Sequence, residues 1–409
     1  MKGLLLAVLL IPFSGIAQEN EFKGIACSGF LQGLQQGDIA LLQRKVYRVG
    51  NTDSAFLVTY AKIVSGENGN VLREIPLAEL TPEYVCAFSM SNDDSSFVVV
   101  TAPKQTWHEL SPFKIRKYSI PESKWIWTRI WETRAWEVRV AYSTGDLGII
   151  LATCNETVTL DVATGKFVHG SNRIASLREN AERFLKFDLS KNGKYAALWW
   201  ERYMTWSWGD EVFLPTLIDF TGYCINWGLH FGSIPNYVYV WDVVADTLAC
   251  KFRVPYESNS GHPSFARDEK GLLVGPLGGK FHEYSLLSKS ETRSFVVPGC
   301  NDPNSPSIEI NAWTPKIISP NGAFFASSQD HMIVLINDSS AQAIDTFKIA
   351  TSRTPNSVYA MDFSRDSKYF SVLTKGNRLV QYDLDQRKVK WESQLGPQAP
   401  WSIVSGLER

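Results

Sequence analysis

Apolar and polar residues alternate along much of the chain, and the alternation breaks repeatedly at clusters of Ser, Asn, Asp, Gly and Lys. In FDLSKNGKYAAL (187–198), Phe187 and Leu189 take alternate positions, Ser190-Lys191-Asn192-Gly193-Lys194 interrupts them, and an apolar run resumes. Period-two alternation gives a half-buried strand. The polar cluster gives a tight turn, in which Ser and Asn bond the backbone and Gly permits positive φ. Each such phrase therefore predicts a β-hairpin. The phrase recurs in FSMSNDDSSFVVV around Ser91, VAYSTGDLGIILA around Ser143, SFARDEKGLLVG around Arg267, KIISPNGAFFAS around Ser319 and MDFSRDSKYFSVL around Ser364. From Ser91 to Ser364 the intervals are 52, 47, 77, 52 and 45 residues, and a weaker copy, YRVGNTDSAFLVTY, centres near Asn51.

Behind each hairpin comes a third strand, then in several copies a polar break and a fourth, as in VTLDVATGKFVHG (158–170) and RLVQYDLDQRKVKWES (378–393). The unit is a four-stranded antiparallel meander with a period of 40–50 residues, the signature of stacked or radially arranged sheets. One such sheet has two apolar faces and cannot stand alone; set radially, neighbours cover them and most edges are protected. The predicted fold is all-β, a single β-propeller of seven four-stranded antiparallel blades. The recurring phrase is then the first hairpin of each blade.

The residues also resemble a family. MDFSRDSKYFSVLTKGNRLVQYDLDQRKVKWES looks like a WD40-type repeat, and YVYVWDV carries Trp241-Asp242 at that family's dipeptide position, with Leu160-Asp161 and Tyr382-Asp383 in the same slot. The resemblance covers roughly residues 46–396, and Trp241-Asp242 is its one true dipeptide. It implies a non-catalytic module that offers a flat face to another protein. Quinoprotein-type and lactonase-type propellers stay open as relatives, and these would place an enzymatic site in the central channel.

The 77-residue interval exceeds the others by an insertion, ERYMTWSWGDEVFLPTLIDFTGYCINWGLHFGSIPN (201–236), between the second and third strands of one blade. Long insertions in compact domains are often functional. This one presents Tyr203, Trp206, Trp208, Asp210, Tyr223 and Trp227 as candidate contacts for a protein partner or a glycan. The competing reading folds its aromatics onto the propeller as a satellite core. In KWIWTRIWETRAWEV (124–138) the Trp125/Trp127 alternation predicts a strand with both rings on one face, packed between blades. NRIASLRENAERFLKF (172–187) predicts a short helix, with Ser176 and Glu179 at capping-box spacing.

The N-terminus, MKGLLLAVLLIPFSGIAQEN, combines Lys2, an apolar run over 3–13, and Gly15 and Ala17 at the −3 and −1 positions of a cleavage site. This is the pattern of a secretory signal peptide over 1–17, so a secreted or periplasmic protein is expected. The organisation expected is leader 1–17, a segment 18–45 leading in, and the propeller over 46–409. No later stretch is apolar for long enough to suggest a transmembrane segment. With 41 basic against 42 acidic residues and no basic stripe, neither nucleic acid nor an anionic membrane is favoured as partner. Export would expose the six cysteines to oxidation, with Cys224–Cys250 the first pair to test.

Local catalytic and cofactor motifs are missing. GPLGGKF (275–281) has Val274 where a P-loop needs its first Gly, no HExxH exists, and TWSWG around Ser207 has Thr205 in place of the first Gly of a nucleophile elbow. No catalytic residue, cofactor or metal is assigned. Catalytic groups of a propeller converge on its channel from several blades, so local motifs do not test for them.

Overall fold

The computed structural model describes residues 20–49, 55–77, 84–102, 111–133, 138–153, 155–177, 182–202, 236–254, 262–265, 270–277, 280–296, 316–329, 332–337, 342–348, 358–374 and 376–397. The expected leader, Arg267 and insertion residues 203–235 lie outside them.

Blade 1 is β1 (Asn20–Gly33), β2 (Ile39–Val49), β3 (Ala55–Val64) and β4 (Val71–Pro76). Blade 2 is β5 (Tyr84–Met90), β6 (Ser96–Ala102), β7 (Ser111–Ser119) and β8 (Lys124–Thr133). Blade 3 is β9 (Arg139–Tyr142), β10 (Gly148–Ala152), β11 (Thr157–Asp161) and β12 (Phe167–Ser171). Blade 4 is β13 (Glu182–Leu189), β14 (Tyr195–Arg202), β15 (Asn236–Asp242) and β16 (Thr247–Val254). Blade 5 is β17 (His262–Phe265), β18 (Gly271–Leu277), β19 (Lys280–Ser285) and β20 (Ser290–Val296). Blade 6 is β21 (Lys316–Ile318), β22 (Phe324–Gln329), β23 (Met332–Asn337) and β24 (Gln342–Lys348). Blade 7 is β25 (Val358–Phe363), β26 (Tyr369–Thr374), β27 (Arg378–Asp383) and β28 (Lys388–Gln394).

Every blade is an antiparallel meander in chain order. The seven first strands neighbour one another in sequence, and β25 returns to lie against β1, so the sheets close into a ring. The chain is an all-β, seven-bladed propeller, as its sequence predicts. Seven hydrophobic clusters fill the seven gaps between blades. Period two explains how one strand serves two gaps. In β18, Leu272 and Val274 pack toward blade 4 while Leu273 packs toward blade 6. Second strands such as β6 are buried along their whole length, which is why they read as continuous apolar runs.

The third and fourth strands of every blade share a β-bulge close to their turn. A bulge adds one residue to one strand and increases its twist. In β8 the extra residue falls between Tyr118↔Trp125 and Lys117↔Trp127. It puts Trp125 against the blade 1–2 cluster and Trp127 in the blade 2–3 cluster. The two rings thus pack between blades on opposite faces of β8, not on one face, because the bulge breaks the period.

Three further sequence readings change. Residues 20–45, expected as a lead-in, carry β1 and the start of β2 of blade 1. The weak copy near Asn51 falls between β2 and β3, and the first hairpin of blade 1 turns at Leu34–Asp38 instead. The predicted helix over 172–187 is a short 3-10 turn, Arg173–Leu177, followed by β13, whose Phe187 is buried between blades 3 and 4. Finally, Cys250 is a free buried thiol in β16. Burial pushes its pKa up to about 11, and Cys224, the partner to test first, lies outside the described residues.

Candidate functional site

Consecutive antiparallel strands put the first and third turns of each blade at the same end of the propeller, here called the turn face. The first hairpins there share one construction. Ser190 donates its amide to the Tyr195 carbonyl at 2.8 Å, and its hydroxyl accepts the Tyr195 amide at 2.9 Å. The Gly193 amide closes the turn on the Ser190 carbonyl at 2.8 Å. Ser91, Ser143, Ser319 and Ser364 repeat this pattern with the residue five positions on. The fourth residue of each turn has positive φ: Asp94, Asp146, Gly193, Gly322 and Ser367. The serine supplies the side-chain acceptor in all five turns, and the left-handed position is taken by Gly in two of them and by Asp or Ser in the other three. At the third turns, Ser65, Ser119, Asp161, Asp242, Ser285 and Asp383 likewise accept amides two or three residues on. The Asp of the dipeptide slot is therefore a turn cap.

The residue two before the hairpin's turn position links neighbouring blades. Asp362 of β25 accepts the Gly33 amide of β1 at 3.0 Å, and Asp188 of β13 accepts the Phe265 amide of β17 at 3.3 Å. Gln32 of β1 accepts the Met90 amide of β5 at 2.9 Å. At the turns themselves, Asp146 accepts the backbone amide of Asn92 at 2.9 Å. Arg365 reaches from blade 7 across blade 1 to Asp94, at 2.9 Å, and to the carbonyls of Ser91 and Asn92. Burial raises the Asp94 carboxyl above its ordinary range, opposed by the Gln35 amide and the Arg365 charge. Burial acts on Asp93 in the same direction, but hydrogen bonds from Ser91 and Ser95 outweigh it and hold that carboxyl low.

These turns rim an axial cavity of about 570 Å³. Its walls include Phe30, Leu31, Phe88, Met90, Val140 and Leu189, contributed by four blades. Blade 7 adds Asp362 and Arg365. Lys191, on the blade 4 turn, reaches across to Asp362 at 3.3 Å. Asp362 is buried, its two oxygens already accepting the amides of Gly33 and Phe363.

The sequence-nominated contacts Tyr203, Trp206, Trp208, Asp210, Tyr223 and Trp227 lie outside the described residues. Their flanks are described: β14 ends at Arg202 and β15 begins at Asn236, at the end of blade 4 opposite its first turn. Sequence reasoning did not single out Lys191, Asp362 or Arg365. A signal was present, because FDLS and MDFS both place Asp two residues before the turn serine. Among the described residues no group of three or more His, Cys, Asp or Glu is placed to hold a metal ion. Nor is any described helix long and apolar enough to cross a membrane. No protein-family model matches the chain, and no curated protein matches it.

Proposed function

We propose that this chain is an exported, WD40-like propeller that binds another protein through its turn face. One observation carries the reading. At that face nine large apolar side chains are exposed: Val71, Leu72, Leu147, Phe167, Val168, Val244, Leu248, Leu287 and Val389. Single exposed apolar residues are ordinary, but nine gathered along the turn ends of neighbouring blades offer a contact surface. The turns that carry them are held by caps and inter-turn hydrogen bonds, so little ordering would be lost on association. The aromatic insertion leaves the opposite end and is a separate candidate contact.

The test is a variant carrying Val168→Asp, Val244→Asp and Leu287→Asp. These side chains are 68%, 72% and 88% exposed, so melting should shift by little, within about 0.5 kcal/mol per substitution. Cross-linking capture from the native host should lose the partner that the unaltered chain recovers. A partner retained at full yield by the triple variant removes the turn face from consideration. Export is tested by the N-terminal residue of protein recovered outside the cytoplasm, expected at Gln18.

A further inference from the structure

We infer that the axial cavity is a binding site for an apolar molecule bearing one carboxylate, with Lys191 as its anchor. The inference rests on the cavity alone and not on the docking surface around it. A volume of about 570 Å³ lies inside the range of small-molecule sites, and the lining is amphipathic: Phe30, Phe88, Met90 and Leu189 stand beside polar groups such as Asn92 and Asn192. Charge decides the polar end of the ligand. Lys191 and Arg365 line the cavity with one carboxylate, Asp362, and Arg365 is already neutralised by Asp94, which leaves Lys191 as the cation that can turn to a ligand.

The two cations differ in what they already hold. Arg365 is paired with Asp94 and with two backbone carbonyls, and its side chain is 10% exposed. Lys191 is 48% exposed, and its contact with Asp362, at 3.3 Å, is long for a charge-assisted bond. Asp362, for its part, accepts two backbone amides. An ammonium has three N–H donors. Lys191 therefore offers donors beside the apolar part of the lining, an arrangement that orients an amphiphilic anion with its body on Phe30, Phe88 and Leu189 and its carboxylate at the lysine. The same chemistry is presented by a free carboxylic acid and by the C-terminus of a polypeptide ending in apolar residues.

The sequence provides its own reporters. Of the five methionines, Met90 and Met361 line the cavity, while Met332 begins β23 at the end of blade 6 away from the turn face. With ¹³C-methyl methionine in the full chain, decanoate below its micelle concentration should shift the Met90 and Met361 signals saturably and leave Met332 still. Decanol, which has the same body without the charge, should need about tenfold more for half-saturation. Lys191→Met should erase that ratio by weakening decanoate alone, and Lys191→Arg should keep it. A peptide ending in Leu-Phe, compared with its C-terminal amide, forms the second arm. Saturation by decanoate alone assigns a small molecule, by the free-carboxylate peptide alone a chain terminus, and either supports the site. Equal affinities for charged and uncharged probes, or no saturable shift at Met90 and Met361 from either acid, would overturn it. The ratio is read first on the unaltered protein, so the test does not depend on the folding of Lys191→Met.

Discussion

Ser190 is fully buried, yet its hydroxyl has work on both sides: it accepts the Tyr195 amide and lies 3.2 Å from the Asn192 side-chain oxygen. Ser190→Ala keeps the volume nearly unchanged and leaves the part-buried Tyr195 amide without its acceptor. The expected cost is about 1–2 kcal/mol, measured by chemical denaturation. Ser143 makes the same bond from a less buried site, so Ser143→Ala should cost less. Equal costs would mean that the hydroxyl matters for turn geometry and not for burial. Electrostatics at this scale centre on Glu74 in blade 1, which pairs with Lys45 and, at 3.0 Å, with Lys62. Burial alone would raise the Glu74 pKa, but the two lysines outweigh it and hold the carboxyl below its ordinary value. A carboxyl lowered in the folded state contributes stability above its unfolded pKa and loses it as pH falls through the folded one. Glu74→Gln should therefore flatten the acid limb of a stability-against-pH curve, with the difference from the unaltered chain closing at the lowest pH. A constant offset down to that limit would assign Glu74 a packing role only.

At the scale of elements, what could be read in advance follows from how many physical demands fell on neighbouring residues. The hairpins at Ser91, Ser143, Ser190, Ser319 and Ser364 were legible because each needs a hydroxyl acceptor and a left-handed residue within six positions. Blade 1 was missed because its first turn is built differently. The Leu34 amide bonds the Asp38 carbonyl, and Gln36 and Gly37 take the positive φ values, so no serine marks it. The helix expected over 172–187 failed because the segment divides: Ile174 is buried from the 3-10 turn Arg173–Leu177, while Glu182–Leu189 forms β13. Trp125 and Trp127 misled through a bulge, since period two holds only while no residue is inserted. The cavity was beyond local reading altogether. Its charged groups, Lys191, Asp362 and Arg365, come from blades 4 and 7, and only the closed ring brings them together.

At the scale of the whole molecule the ring must be closed, and among the described residues no blade draws strands from both ends of the chain. Blade 7 meets blade 1 through side chains: Asp362 on the Gly33 amide, Gln381 on the Gly37 carbonyl at 2.5 Å, and the Trp391 indole on the Gly66 carbonyl at 2.9 Å. Gly33 is required at this seam, because a Cβ there would stand 2.2 Å from the Phe363 carbonyl oxygen. An internal control lies elsewhere in the ring. Trp127 of blade 2 occupies the position of Trp391 in its fourth strand and bonds the Val162 carbonyl of blade 3 at 3.1 Å, over a Gly165 that a Cβ would close. The chain itself ties blades 2 and 3 together, whereas blades 7 and 1 are joined by contacts alone. Trp391→Phe and Trp127→Phe should therefore each lower global stability by about 1 kcal/mol, the worth of one such hydrogen bond. Their effects on local opening should differ. Amide exchange in β1 and β25 should accelerate in Trp391→Phe well beyond its loss of global stability, while Trp127→Phe should leave exchange in β8 and β11 tracking global unfolding. If both variants opened their interfaces alike, the seam would be no weaker than a covalently connected gap, and closure would depend on the inner ring of first strands and not on these lateral contacts.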